Sequence, residues 1–238
     1  MKIIVSETAK ELGKKAAELA AQYLKERIEQ NGYARIVVST GASQFETFQA
    51  LIASNIEWNK VEMFHLDEYF DLPESHPASF RKYLKERFVS KVNLQAVNFV
   101  EGTAGNIADV SKKLLEKPVD LGLIGIGENA HIAFNDPPAD FTTTDPYILV
   151  ELNESCKKQQ VGEGWFATMD DVPARAVSMS IHRIMQCKKI ISCVPHAVKA
   201  AAVASTINNE LSNQIPATML KTHSDWTLLL DKASAALL

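Results

Sequence analysis

Short apolar runs recur along this chain, and most are followed by a stretch whose apolar residues repeat with helical period. Ala34-Arg35-Ile36-Val37-Val38-Ser39, Val61-Glu62-Met63-Phe64-His65-Leu66, Val119-Asp120-Leu121-Gly122-Leu123-Ile124 and Lys189-Ile190-Ile191-Ser192-Cys193-Val194 are the clearest runs. Their length and continuity suit buried strands. Shorter candidates are residues 2–5, as an edge strand, and Val97–Val100; Tyr147–Leu152, Ala176–Ile181 and Trp226–Leu230 complete the set. From Glu7 to about Gln30 the pattern is helical, with Leu12, Ala16, Leu19 and Tyr23 on one stripe, and Asn31-Gly32 stops it. Regular strand–helix alternation predicts an α/β fold: a single domain over residues 1–238, with a mostly parallel Rossmann-like sheet and helices on both faces. Crossovers in such a sheet are right-handed. No internal repeat or linker divides the chain.

Charge and composition exclude several function classes. A formal net charge of −4 argues against a dedicated nucleic-acid or membrane-surface protein. It leaves room for a local basic pocket that takes an anionic small molecule. The basic residues Arg81, Lys82, Lys85 and Arg87, on a helix whose first position suits Pro77, read as a solvated face. Cys156, Cys187 and Cys193 show neither disulfide nor metal spacing and read as buried free thiols. No run reaches the length of a membrane span, and Met1–Val5 is too short for a signal peptide, so a cytoplasmic location is expected.

In open α/β sheets ligands bind beyond the carboxyl ends of the strands, and there the chain concentrates its polar chemistry. Thr40-Gly41-Ala42-Ser43 follows one strand directly, and Ser43 and Glu46 have the spacing of a capping box. A turn leading into a capped helix offers free amides and a positive dipole end to an anion, although an ordinary strand–helix connection reads the same way. Asp67-Glu68 follows the next strand: the pair is either solvated or placed for acid/base work. Gly125-Ile126-Gly127-Glu128-Asn129-Ala130-His131-Ile132-Ala133-Phe134-Asn135-Asp136-Pro137 follows a third. Its Gly-x-Gly alone is a weak signal. Lys199 lies in the first turn of a later helix, against the dipole, so an anionic ligand explains it better than helix stability does. Residues 153–172 are irregular and polar, as a binding lid or a surface excursion would be.

Taken together, Ser39–Ser43, Leu66–Tyr69, Gly125–Pro137 and Lys199 resemble the glucosamine-6-phosphate deaminase family in order and content, over nearly the whole chain. The His131-Ile132-Ala133-Phe134-Asn135 run is its most specific part. The related 6-phosphogluconolactonases share the Gly-x-Gly…His core but match less well after the histidine. The resemblance implies conversion of glucosamine 6-phosphate to fructose 6-phosphate and ammonia without redox cofactor or metal. It assigns Asp67 as the base moving a proton between C2 and C1, His131 to ring opening, and Asp136, with Asn129, to the support of His131. Thr40, Gly41, Ala42, Ser43 and Lys199 would bind phosphate, with Glu68 and Gly127 also on the substrate's side. The implied partner is a phosphorylated amino sugar, with neither nucleic acid nor membrane, and a homo-oligomer is compatible with it.

Three departures accompany the resemblance. An acidic residue is replaced by Asn129, in Asn129-Ala130-His131 for Asp-Gly-His, and a glutamate by Asp136. An arginine that assists the phosphate-binding lysine falls near Gly164; Lys157, Lys158 and Arg175 are the cations available nearby. Two other functions therefore fit: a phosphosugar-binding protein with altered catalysis, or an isomerase or lactonase acting on another phosphosugar.

Overall fold

A computed structural model describes residues 1–238. Ten strands are present: β1 (Lys2–Ser6), β2 (Ala34–Val38), β3 (Val61–His65), β4 (Asp67–Tyr69), β5 (Ala96–Asn98), β6 (Leu121–Leu123), β7 (Tyr147–Glu151), β8 (Arg175–Met179), β9 (Lys189–Val194) and β10 (Trp226–Asp231). The helices are α1 (Ala9–Asn31), α2 (Phe45–Ile52), α3 (Phe80–Arg87), α4 (Ala104–Leu115), α5 (Glu154–Gly162), α6 (Ile181–Ile184) and α7 (Ala200–Asn208). Seven strands form one parallel sheet in the order β1-β10-β9-β6-β2-β3-β5.

Side-chain alternation divides the core into two layers. Ile36, Val38, Leu121, Leu123, Ile191, Cys193 and Leu229 pack beneath α1, α2 and α3. Val37, Ile190, Leu228 and Leu230 point the other way, against Val110 and Leu114 of α4, Ile181 and Ile184 of α6, and Val203 of α7. Helices thus cover both faces, which is why the strands read as continuous apolar runs. Each fully buried side chain of this size stabilises the fold by roughly 1.5–3 kcal/mol. No helix is long and apolar enough to cross a membrane.

The sheet reverses its winding between β2 and β6, which are neighbours although far apart in sequence. From β2 the chain proceeds outward through β3 and β5; on the other side lie β9, β10 and β1. That reversal opens a crevice at the carboxyl ends of the two strands. The roots of the two loops are tied together: Ser39 N–H donates to Leu123 O at 2.9 Å, and Gly125 N–H donates to Ser39 Oγ at 3.1 Å.

A second, three-stranded antiparallel sheet, β4-β8-β7, stands beside the first. Strand periodicity alone gave no reason to separate it from the parallel sheet. Its strand β4 follows β3 after Leu66 alone, so Asp67-Glu68-Tyr69 is paired strand and not loop. Beneath it lies a small cluster including Tyr69, Phe134, Cys156 and Phe166, which seats α5. Half of the segment read as irregular is therefore helix, started by Asn153, whose side chain accepts from Cys156 N–H at 2.8 Å.

Helix α3 corrects two expectations. It begins at Phe80 with Ser79 as its cap, not at Pro77. Arg81 is no member of a solvated face: it is 9% exposed and its Nε donates to Glu68 Oε2 at 3.1 Å. The cause is Glu68, which is fully buried and accepts from Phe80 N–H, Arg81 N–H and Ser79 Oγ–H as well. A carboxylate on a distant strand thus serves the free amides of the first helical turn. Replacing Glu68 by Ala orphans the Arg81 guanidinium and these amides. Chemical denaturation of Glu68→Ala is expected to show a loss of roughly 3–5 kcal/mol relative to the unchanged protein.

Candidate active site

The crevice at the switch point is a cavity of about 240 Å³. Its wall includes Thr40, Gly41, Ala42, Ser43, Asp67, Gly127, His131 and Lys199, contributed by the ends of β2, β3, β6 and β9. Most of the residues picked out from the sequence therefore meet in one place. Asn129 and Asp136 stand behind His131, and Glu68 lies outside the wall, committed to α3. The expectation that Glu68 contacts substrate is corrected on that ground.

The turn after β2 is shaped by Gly41, whose φ of 99° lies in the region that disfavours side chains. Tyr83 Oη–H donates to its carbonyl at 2.8 Å and holds the turn down. Residues Ala42–Gln44 form a single 3-10 turn before α2, with no side-chain cap. Ser43 is thus not the capping residue that its spacing with Glu46 suggested. The extra turn moves the helix start to Phe45, and the hydroxyls of Thr40 and Ser43 remain without protein partners on the cavity wall. Free hydroxyls and turn amides suit an anion.

Asp67 opens β4, paired with Ser178 of β8. It is 7% exposed, and its pKa is raised to about 8, first by burial and then by the neighbouring Glu68 carboxylate. A carboxyl group that titrates near neutrality can both take and return a proton. His65, two residues earlier, has a different role. Its Nε2 accepts from Val100 N–H at 2.7 Å, and burial above all, with Arg81, pushes its pKa down to about 3. It is a neutral core histidine.

His131 is held from behind. Its Nδ1 lies 2.6 Å from Asn129 Oδ1 and 3.2 Å from Asp136 Oδ1. Both partners accept, so Nδ1 carries the proton and Nε2 is left without a protein partner. Asn129 completes a ring of contacts: its Nδ2 donates to Asp136 Oδ1 at 2.9 Å, while its Oδ1 also accepts from His131 N–H at 3.1 Å. Burial alone would raise the Asp136 pKa, but hydrogen bonding and charge from His131, with Asn129 and Cys156, bring it below the usual carboxylate value. Gly127 explains why the loop needs glycine there: a Cβ would lie 2.2 Å from His131 Nε2.

Lys199 is 8% exposed and has no hydrogen-bond or ion-pair partner in the protein. Burial lowers its pKa, and the Glu163 and Glu128 carboxylates oppose that shift. An unpaired ammonium group at this depth is costly unless a ligand neutralises it. The preceding turn is fixed by Asp231, which accepts from His196 N–H at 3.2 and 3.1 Å. His196 itself has φ of 80° and ψ of 144°, a sparsely populated conformation that costs a non-glycine on the order of 1–3 kcal/mol.

None of Lys157, Lys158 and Arg175 reaches the cavity. Lys158 pairs with Glu154 at 3.7 Å, and Arg175 lies over the Phe70 ring, 4.4 Å from its centre. His196 and, from the α5 segment, Gln160, Glu163 and Trp165 line the wall instead. Sequence reasoning did not single these out, because an irregular polar stretch does not disclose which of its residues turn inward. Asn135 was also underrated. Its Nδ2 donates to Ile132 O, Ser178 Oγ and Met179 O, pinning the His131 loop to β8. No group of three or more His, Cys, Asp or Glu side chains is arranged to hold a metal ion.

Fold and cavity define a doubly wound α/β protein whose ligand crevice lies at the topological switch point. The family model described as glucosamine-6-phosphate isomerases/6-phosphogluconolactonase matches residues 7–229, and the chain belongs to that family. A glucosamine-6-phosphate deaminase of Clostridium acetobutylicum is 32% identical over 249 residues, with 100% of each chain covered. That of Streptococcus sanguinis is 34% identical over 242 residues, covering 100% of this chain and 99% of the relative. The solved structure of a monomeric glucosamine-6-phosphate deaminase, 28% identical, superposes with a TM-score of 0.89 over 100% of both chains. A 6-phosphogluconolactonase from Thermotoga maritima, 13% identical, shares the fold with a TM-score of 0.80 over 97% of this chain and 99% of that one.

Two outcomes follow from this geometry. Gly127→Ala is expected to displace the imidazole and lower kcat by about 100-fold, with a circular dichroism spectrum like that of the unchanged protein. Asp67, with a pKa raised on folding, favours the native state at low pH; that contribution is lost as pH rises towards and through about 8. Asp67→Asn is therefore expected to melt at a higher temperature than the unchanged protein at pH 8, with the gap closing near pH 4.

Proposed function

We propose that the chain, acting as one α/β unit over residues 1–238, converts glucosamine 6-phosphate to fructose 6-phosphate and ammonia. The observation that carries this reading is a buried Asp67 carboxyl, titrating at about 8, in the same cavity as the unpaired Lys199 and the supported His131. Its full-length relatives named glucosamine-6-phosphate deaminase support the choice of reaction.

The residues divide the work by position. The turn Thr40–Ser43 and Lys199 hold the phosphate through amides, hydroxyls and one positive charge. Anchored there, the sugar places C1 and C2 beside Asp67, which moves a proton between them through an enolamine. His131 Nε2, the ring nitrogen without a protein partner, exchanges a proton with the ring oxygen during opening. Asn129 and Asp136 do not reach the cavity; they fix the tautomer and orientation of His131. Water addition at C2 and loss of ammonia follow isomerisation.

Incubation of the purified protein with glucosamine 6-phosphate, with assays for fructose 6-phosphate and ammonia, tests the reaction. Appearance of both in equal amounts is expected; no turnover by folded, phosphate-binding protein would sink it. Since the basic form of Asp67 acts, kcat/KM is expected to rise with pH to a plateau, with an apparent pKa near about 8. Asp67→Asn should lower kcat by roughly 10²–10⁴-fold while phosphate still binds.

A further inference from the structure

Besides Asp67, three lysine or glutamate side chains on the cavity wall lack an ion-pair partner, one basic and two acidic. Lys199 is the cation. The acids are Glu128, whose side chain has no hydrogen-bond partner, and Glu163, at the end of α5, which is held in place. Glu163 Oε1 accepts from Gln159 Nε2 at 2.7 Å, and its Oε2 accepts from Trp165 Nε1 at 3.0 Å. Both donors are neutral, so the carboxylate is oriented without being neutralised. Gln159 and Trp165 are themselves on the cavity wall. The next residue of α5, Gln160, accepts from Tyr69 Oη–H at 2.5 Å, which ties this segment to the strand bearing Asp67.

A cavity that took only a phosphate would be weakened by a fixed carboxylate on its wall, since like charges repel. A ligand carrying both a phosphate and an ammonium group satisfies the two ends at once. We infer that Glu163 is a specificity-determining residue: its carboxylate receives the ammonium group of a sugar phosphate whose phosphate sits at Lys199. The site thereby selects a free amine over its hydroxyl and N-acyl counterparts. This rests on the reading of the substrate as an amino sugar phosphate. N-acylation removes the positive charge, and a hydroxyl in place of the amine leaves Glu163 opposed to the phosphate with nothing gained.

Calorimetric titration of the intact protein with 2-amino-2-deoxyglucitol 6-phosphate and with glucitol 6-phosphate isolates the amine, because neither open-chain compound can be isomerised. The unchanged protein is expected to bind the amine at least about tenfold more tightly. Glu163→Gln should bring the two within about twofold, by weakening the amine while glucitol 6-phosphate binds as well as before or more tightly, and Glu163→Asp should keep part of the preference. No preference in the unchanged protein overturns the inference. So does a ratio unaltered by Glu163→Gln, or equal weakening of both compounds, which marks Glu163 as support for α5 only. Turnover is measured separately: absence of turnover alongside a Glu163-dependent amine preference removes the proposed reaction and leaves this recognition standing.

Discussion

The pairing of β4 with β8 is the constraint on which the cavity depends. Asp67 sits opposite Ser178 in that ladder. Ser178 Oγ, on the same strand, also accepts from Phe134 N–H and Asn135 Nδ2, both at 3.1 Å. One short strand therefore sets the position of Asp67 and of the His131 loop relative to each other. The parallel sheet supplies the crevice, but it could not do this alone, since β3 and β6 are separated by β2. A few backbone ladder bonds and one buried asparagine hold Asp67 and the His131 loop in a fixed relation. Their burial makes them strong, because an unpaired amide there has no water to turn to.

Charge is distributed around this constellation so that one carboxyl stays dry. Glu68 and Arg81 pair with each other next to Asp67, and further donors satisfy the Glu68 oxygens. Asp67 receives no such help, so burial and the adjacent Glu68 raise its pKa. Two consecutive acids thus have opposite environments: one neutralised by a cation and helix amides, the other left poised for proton transfer. Placing an unpaired carboxyl in the interior opposes stability at neutral pH. The cores on both faces of the sheet offset that loss.

Much of this was legible in the chain itself. Buried parallel strands appear as continuous apolar runs, and polar residues at their carboxyl ends mark the crevice. Hence Thr40–Ser43, Asp67, Gly127, His131 and Lys199 could be placed in one site. What escaped depended on partners remote in sequence. Glu68 looked equivalent to Asp67 until the backbone of α3, a dozen residues on, took its oxygens. Arg81 looked solvated because helical periodicity does not register a buried carboxylate beside the helix. The Ser43 capping box failed because a 3-10 turn intervened before α2. Glu163 and Trp165 were hidden because α5 shows little apolar periodicity; its place is set by Asn153, Cys156 and Gln160.

Asn129 stands where the family resemblance implies an acidic residue, and its geometry gives the amide a physical logic. Asn129 lies between two groups with opposite needs. It accepts from His131 through Oδ1 and donates to Asp136 through Nδ2, 2.9 Å away. A carboxylate in its place could accept from His131 but would face the Asp136 carboxylate at that same distance. Like charges so close cannot both remain ionised, so one would take up a proton or the contact would break. The amide removes that conflict and leaves a single anion, Asp136, beside the imidazole. Charge support for His131 then rests on Asp136 alone, while its orientation rests on both neighbours. The Asp136 side chain and the amide are in that sense matched: together they hold a hydrogen-bonded ring around His131 with one negative charge.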